Sequence, residues 1–364
     1  MEYHRGLFLP TGEYDPRREI LSCTAAELLT LAAEQAGVRL EQAGSGEGET
    51  APETFWQETA GETVLLILRP AAALSGETLR RLCEQPETAA LMSGREVLAL
   101  WGESAAVRGL DVQSLPESIA RVQAGPGEGI AVTGAESAYA AQETLRRRIN
   151  YALMQQNVML VDPNTTHVSP RAVLAPGCTV LPGCLIYGAS RVGAGAVIGP
   201  NTLLRDADIG ENCTVNSSQV NESRVGAGTT VGPFAYIRPG CTVGEHARIG
   251  DFVELKNSTV GDGTKISHLT YIGDSDLGKK INIGCGVVTV NYDGKKKYRT
   301  TVEDGSFVGC NVNLVAPVKI GRGAYLAAGG TITEDVPEES LVVARSRQTV
   351  KPGWVKKRRE SGKL

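Results

Sequence analysis

A few residues have the types and spacing to do chemistry. His268 sits in Ser267-His-Leu-Thr-Tyr271. Its side chain can accept a proton near neutral pH without being prepared by deep burial. Arg238 and Lys256 lie 18 residues apart. A guanidinium fork and an ammonium point charge converging on one ligand suit a phosphate. Either alone reads as an ordinary surface charge, and an isolated histidine as a structural one. The eight cysteines, Cys23, Cys83, Cys178, Cys184, Cys213, Cys241, Cys285 and Cys310, form no C-x-x-C pair. A zinc or thioredoxin-type site has no support there, and they read mostly as small, reduced, buried side chains.

An element that repeats must bring such distant positions together. An aliphatic residue recurs every sixth position at Val168, Leu174, Val180, Ile186, Val192, Ile198 and Leu204. The series resumes at Val225, Val231, Ile237, Val243, Ile249 and Leu255, continues at Val260, Ile266 and Ile272, and returns over Val302, Val308, Leu314, Ile320, Leu326 and Ile332. Glycine often follows directly, as in Ile209-Gly210, Val225-Gly226, Val243-Gly244 and Ile249-Gly250. Period six is neither helix nor ordinary strand. It predicts short strands joined by turns, one inward side chain per hexad, with glycine supplying turn conformations closed to other residues. Three such sides make a coil, and stacked coils make a hexapeptide parallel β-helix. On a three-sided coil, 18 residues is one full circuit, so Arg238 and Lys256 fall on the same side of neighbouring coils.

Charge divides the chain. Residues 1–130 hold 10 arginines, no lysine and 20 acidic residues, against 27 basic and 21 acidic residues afterwards. Attraction for an anion therefore lies in the second half. The basic residues are not interleaved with aromatics, which disfavours nucleic acid. The low aromatic content (5%) and 43 glycines suit small repeated cross-sections. No apolar run approaches a membrane span and the N-terminus lacks signal-peptide features, so a cytoplasmic location is expected. Residues 136–154 read as a helix with Leu145, Ile149, Ala152 and Leu153 on one face. The lysine-rich stretch Thr289–Thr301 interrupts the array and predicts an extended loop.

Several longer stretches carry a resemblance. They are Val231-Gly-Pro-Phe-Ala-Tyr-Ile-Arg-Pro-Gly240, Ile249-Gly-Asp-Phe-Val-Glu-Leu-Lys256, Lys265-Ile-Ser-His-Leu-Thr-Tyr-Ile-Gly-Asp274, Ile281-Asn-Ile-Gly284, Asn291-Tyr-Asp-Gly294 and Asn313-Leu-Val-Ala-Pro-Val318. Across residues 136–354 the chain resembles the bifunctional enzymes that acetylate glucosamine 1-phosphate and then uridylylate the product to UDP-N-acetylglucosamine, a cell-wall precursor. The likeness is to the acetyltransferase half. It implies an α/β N-terminal remnant followed by a left-handed parallel β-helix that forms a homotrimer. It also implies His268 as catalytic base, and Arg238, Lys256, Tyr271, Asn282 and Asn291 on the amino-sugar phosphate. Cys285, Tyr292, Cys310, Ala328 and Arg345 are implied around acetyl-CoA, the co-substrate. Cys310 stands where such enzymes often carry Ser, and Asp251 where they usually carry Asn. No metal is implied for acetyl transfer, and magnesium only if uridylyl transfer survives.

The N-terminal part departs from that family. In place of its glycine-rich nucleotide loop stands Leu7-Phe-Leu-Pro-Thr-Gly-Glu-Tyr-Asp-Pro-Arg17, with one glycine and the acidic Glu13 and Asp15. A phosphate cradle is disfavoured there. The strand Val64–Leu68 runs into Arg69 where a metal-binding Asp is implied, and Thr133 replaces an Asn ligand. Residues 42–61 read as a flexible stretch with few anchors. The expected organisation is a shortened, inactive nucleotidyltransferase-like domain over 1–134, a linker helix over 135–160, an acetyltransferase β-helix over 161–345 and a basic tail over 346–364. An unrelated small α/β domain remains open for the first part. The tail either screens CoA phosphates or only solubilises. Two other functions stay open: a still bifunctional enzyme, and a non-catalytic sugar-nucleotide binding or scaffold protein. A zinc carbonic anhydrase on this fold would need clustered histidines, and His4, His167, His246 and His268 lack the close pairing.

Overall fold

The computed structural model describes residues 3–9, 18–43, 51 and 53–363. The loop candidates Gly12, Glu13 and Asp15 lie outside the described residues, as does most of 42–52. The chain divides into two compact units, 1–207 and 208–364.

The first unit begins with an α/β segment. Its elements are β1 His4–Phe8, β2 Glu19–Ile20, β3 Cys23–Thr24, α1 Ala25–Gln35, β4 Val38–Gln42, α2 Glu53–Glu58, β5 Thr63–Ile67, α3 Gly76–Cys83, β6 Ala89–Ser93, β7 Glu96–Glu103, α4 Ser104–Arg108 and β8 Ala120–Gln123. Six strands form a mixed sheet in the order β4-β1-β5-β7-β6-β8. Val64, Leu65, Leu66 and Ile67 are all buried, as a central strand covered on both faces requires. Leu65 and Ile67 face one core with Leu29 and Leu79, and Val64 and Leu66 face another with Phe55 and Trp56. The stretch expected to be flexible is thus anchored in part: two aromatic side chains of α2 supply apolar area that its Gly/Glu-rich composition hides.

Helix α5, Ala135–Gln155, follows. Ala141, Leu145 and Leu153 are buried, but Ala152 is exposed, so the predicted face is rotated. The other buried positions are polar. Arg146 donates to the Pro163 carbonyl, and Asn150 donates to the carbonyls of Pro163 and Thr166, at 2.8 and 3.0 Å. The linker helix ends earlier than expected, because Met159–Leu160 pairs in parallel with Thr179–Val180. Coils then follow at 18-residue register, as in His167↔Leu185 and Val173↔Arg191.

The second unit is a parallel hexapeptide solenoid. Every aliphatic residue of the predicted series from Val225 to Ile332 is buried. A second inward position lies two residues earlier and is small: Cys213, Ala235, Cys241 and Ala247 are at most 3% exposed. Gly232, directly after Val231, has the predicted positive φ, at 100°, but other glycines after the aliphatic residues are kept for a different reason. Gly226, Gly244 and Gly250 are not left-handed; a Cβ on each would fall 1.9–2.6 Å from an atom of the next coil. Close approach of backbones selects them. Two strands are unusually long, Arg248–Lys256 and Lys265–Gly273, and pair over their length. The chain leaves the array after Val290 and returns at Thr300, as the loop prediction required. In the basic tail, Trp354–Glu360 forms a short helix with no buried residue.

Candidate functional site

The two long strands carry the site. In each coil here the sequence reads aliphatic, small, outward residue, then a left-handed residue. The sets are Ile249-Gly-Asp-Phe252, Ile266-Ser-His-Leu269, Ile283-Gly-Cys-Gly286, Val308-Gly-Cys-Asn311 and Leu326-Ala-Ala-Gly329. The fourth residue has φ of 55, 39, 76, 55 and 75° in turn. One turn geometry is therefore repeated, and the third residues form a column: Asp251, His268, Cys285, Cys310 and Ala328. The pairings Asp251↔His268, Ile266↔Ile283, Ile283↔Val308 and Val308↔Leu326 set that register. The predicted base and three of the predicted acetyl-CoA residues thus share one line. Arg345 lies beside its end, its Cδ 3.6 Å from where a Gly329 Cβ would be.

Within the column, His268 Nδ1 lies 2.5 Å from Asp251 Oδ1. The His268 hydrogen bond holds Asp251 below the usual carboxylate range. An ionised carboxylate only accepts, so Nδ1 carries a proton, and Nε2 is the nitrogen left to exchange one. Both side chains are partly exposed, so a group from outside the chain can reach Nε2.

The second group of predicted residues meets around Gly273: Lys256 and Tyr271 lie further along the two long strands, Arg238 lies one coil before Lys256, and Asn291 follows the strand Val288–Val290. Lys256 Nζ pairs with Asp274 Oδ2 at 2.9 Å. Asp274 also accepts from Asn257 Nδ2 at 2.6 Å and Asn291 Nδ2 at 2.5 Å. Burial opposes its ionisation, but the bonds from Asn257, Lys256 and Asn291 hold its pKa below the usual range. The Asp274 hydrogen bond raises Lys256. Arg238 Nη1 meets Glu254 Oε1 at 2.9 Å, and that bond raises its pKa. Asn291 Nδ2 is 3.5 Å from the Tyr271 hydroxyl. A Cβ at Gly273 would lie 2.3 Å from that hydroxyl and 2.7 Å from the Asn291 amide nitrogen. The missing side chain is what leaves room for the two to meet. Lys297, on the excursion, adds a third cation: contact with the Lys256 ammonium, then its charge, lowers Lys297, with Arg238 contributing.

Two predicted residues stand apart. Asn282 lies on the strand face between Lys265 and Phe307 and hydrogen-bonds neither group. The Tyr292 hydroxyl is held within the excursion by the Gly294 carbonyl at 2.7 Å. Sequence reasoning missed the partners Glu254 and Asp274, the gap at Gly273 and the cation Lys297. Coil spacing could have found the carboxylates: Asp274 is one circuit beyond Lys256.

This solenoid, with an outward column that includes His268 beside a cluster of cations and carboxylates, has the architecture of the hexapeptide-repeat transferases. Residues 222–257 match the family described as bacterial transferase hexapeptide (six repeats). More particularly, the chain is 49% identical over 217 residues to the bifunctional protein GlmU of an Exiguobacterium species, covering 60% of this chain and 48% of that protein. Against the bifunctional protein GlmU of Thermoanaerobacter pseudethanolicus it is 49% identical over 236 residues, covering 64% and 52%. The chain therefore spans about half the length of the curated relatives it matches. Among solved structures, an Arabidopsis UDP-N-acetylglucosamine acyltransferase is similar at 17% identity and a TM-score of 0.34, covering 55% of this chain and 76% of that one. Among the described residues no helix is long and apolar enough to cross a membrane, and no three His, Cys, Asp or Glu side chains cluster to hold a metal ion.

Proposed function

We propose that this chain transfers the acetyl group of acetyl-CoA to the amine of glucosamine 1-phosphate. The observation that carries the reading is the Asp251–His268 pair on the same two strands as Lys256 and Tyr271, with Arg238 one coil before Lys256. The cations hold the sugar phosphate, and Tyr271 and Asn291 face the sugar. Asn282 and Tyr292 join the site only when ligand or a neighbouring subunit completes it, in a homotrimer. The acetyl-CoA thioester lies along the Cys285–Cys310–Ala328 line, with Arg345 at its far end.

The amine nitrogen attacks the thioester carbonyl while His268 Nε2 takes its proton. Asp251 fixes the tautomer and favours the imidazolium that forms. Collapse expels the CoA thiolate, which takes the proton from His268, leaving N-acetylglucosamine 1-phosphate and CoA. No acyl-enzyme is required. The α/β segment is proposed to be inactive in uridylyl transfer: two residues beyond its central strand stands Arg69, paired with Glu96 at 3.0 Å, where a metal-binding carboxylate would be needed.

The test is release of CoA from acetyl-CoA with glucosamine 1-phosphate, followed by mass, then addition of UTP and magnesium. Acetylated sugar phosphate without a UDP-sugar is the expected result. A UDP-sugar refutes the inactive N-terminal segment, and no CoA release refutes acetyl transfer to this amine.

A further inference from the structure

The solenoid cysteines fall into two phases of the hexad. Cys178, Cys184, Cys213 and Cys241 lie two residues before an inward aliphatic residue and are buried. Cys285 and Cys310 lie two residues after one, and are half-buried and exposed. That change of phase turns them outward into the column of Asp251 and His268.

They are also adjacent. The pairings Asn282↔Phe307 and Ile283↔Val308 continue to 285 and 310, and the Asn311 amide donates to the Cys285 carbonyl at 2.8 Å. Each is followed by a left-handed residue, Gly286 at φ 76° and Asn311 at φ 55°. The two turns match, so both Cβ atoms leave the coil in the same direction. Earlier in the same column, that arrangement brings the side chains of Asp251 and His268 to 2.5 Å. Neighbouring coils are separated by about 4.8 Å, inside the roughly 4.4–6.8 Å between Cα atoms that a disulfide spans.

We infer that Cys285 and Cys310 are a dithiol site for low-molecular-weight disulfides, closing reversibly into an intramolecular disulfide that shuts the acyl-donor line. The second clause rests on the proposed function, which puts acetyl-CoA on these two residues. One protein thiolate attacks a sulfur of the small disulfide, forms a mixed disulfide and expels one small thiolate. The other protein thiolate attacks the protein-bound sulfur, forms Cys285–Cys310 and expels the second. Two electrons pass to the small disulfide, and the two protons lost by the cysteines end on its thiols. The oxidised pair replaces two small, separate side chains with a rigid bridge lying across the line next to His268.

The experiment treats the native full chain with oxidised glutathione, alkylates the remaining thiols, and maps peptides by mass. A parallel sample is assayed for acetyl transfer before treatment, after it, and after dithiothreitol. The expected result is a cross-linked peptide joining Cys285 and Cys310, lighter by two hydrogen atoms, with transfer lost and then restored. Cys285→Ser and Cys310→Ser each abolish that peptide and retain a glutathione adduct on the thiol left behind. A wild-type map showing only a glutathione adduct on Cys310, with Cys285 alkylated, overturns the dithiol. The cross-link with unchanged transfer overturns the closure. Inactivity of the reduced, untreated protein refutes the acetyl-transfer reading instead, and the peptide map still decides the dithiol.

Discussion

Gly250→Ala should damage the site through backbone contact alone. Gly250 separates inward Ile249 from Asp251, facing Ser267 on the coil that carries His268. An alanine Cβ would lie 1.9 Å from the Ser267 carbonyl oxygen and 2.7 Å from its carbonyl carbon. Ordinary contact begins at 3.4 Å, so about 1.5 Å must be found. Both obstructing atoms are backbone, and no rotamer can supply it. The coils must part beside the Asp251–His268 pair. Overpacking of this kind costs about 1–3 kcal/mol, and one buried backbone group left unpaired costs about as much again. Together about 2–6 kcal/mol is expected, which lowers Tm by roughly 4–24 °C for a unit of this size. A misplacement near 1 Å costs on the order of 10²-fold in rate, so kcat/KM should fall by about that factor. The measurement pairs a calorimetric scan with CoA release. Gly109→Ala is the control, since its Cβ meets nothing closer than 3.6 Å at φ −80°. An alanine at 250 that leaves both Tm and kcat/KM unchanged refutes the argument from close approach.

Other outcomes follow from the same geometry. Asp251→Ala removes the acceptor that holds the Nδ1 proton of His268, so kcat should fall roughly 10–100-fold, the order found when a carboxylate that orients a histidine is lost. The acid limb of its pH–rate profile should also move, and an unchanged limb removes Asp251 from the mechanism. Gly273→Ala drives a methyl into the Tyr271 hydroxyl and the Asn291 amide. KM for the sugar phosphate should rise well above any change in KM for acetyl-CoA, and an equal rise in both would contradict the assignment. Asp274 has a lowered folded-state pKa. Its contribution to stability is therefore full above the unfolded carboxylate value of about 3.9 and is lost as pH falls through the lower folded value. Asp274→Asn should flatten the acid arm of a stability–pH curve, and a superimposable arm would show that the ionised carboxylate contributes nothing.

Much of the solenoid was legible because its physics is local. One aliphatic side chain must enter each side of each coil, so the period appears directly in Val225 to Leu255. The loop at 291–299 was legible because a lysine run cannot be an inward side. The column was not read, although its signal was present: Asp251, His268, Cys285, Cys310 and Ala328 each stand two places after an inward residue. Hexad phase, rather than period, separates buried cysteines from outward ones. Lys297 could not be placed, since the path of an irregular loop follows from no repeat. The glycines were assigned to turns, when at Gly226, Gly244 and Gly250 the neighbouring coil decides. Residues 53–58 were misread because a composition average hides two aromatics that fold inward.

Helix α5 has a consequence for self-association. A parallel solenoid begins with a coil whose outermost carbonyls have no coil beneath them, and such an edge is a template for another chain. Here Arg146 and Asn150 occupy the carbonyls of Pro163 and Thr166. The helix thus works as a stopper at those two carbonyls, which it closes to a second molecule stacking end to end.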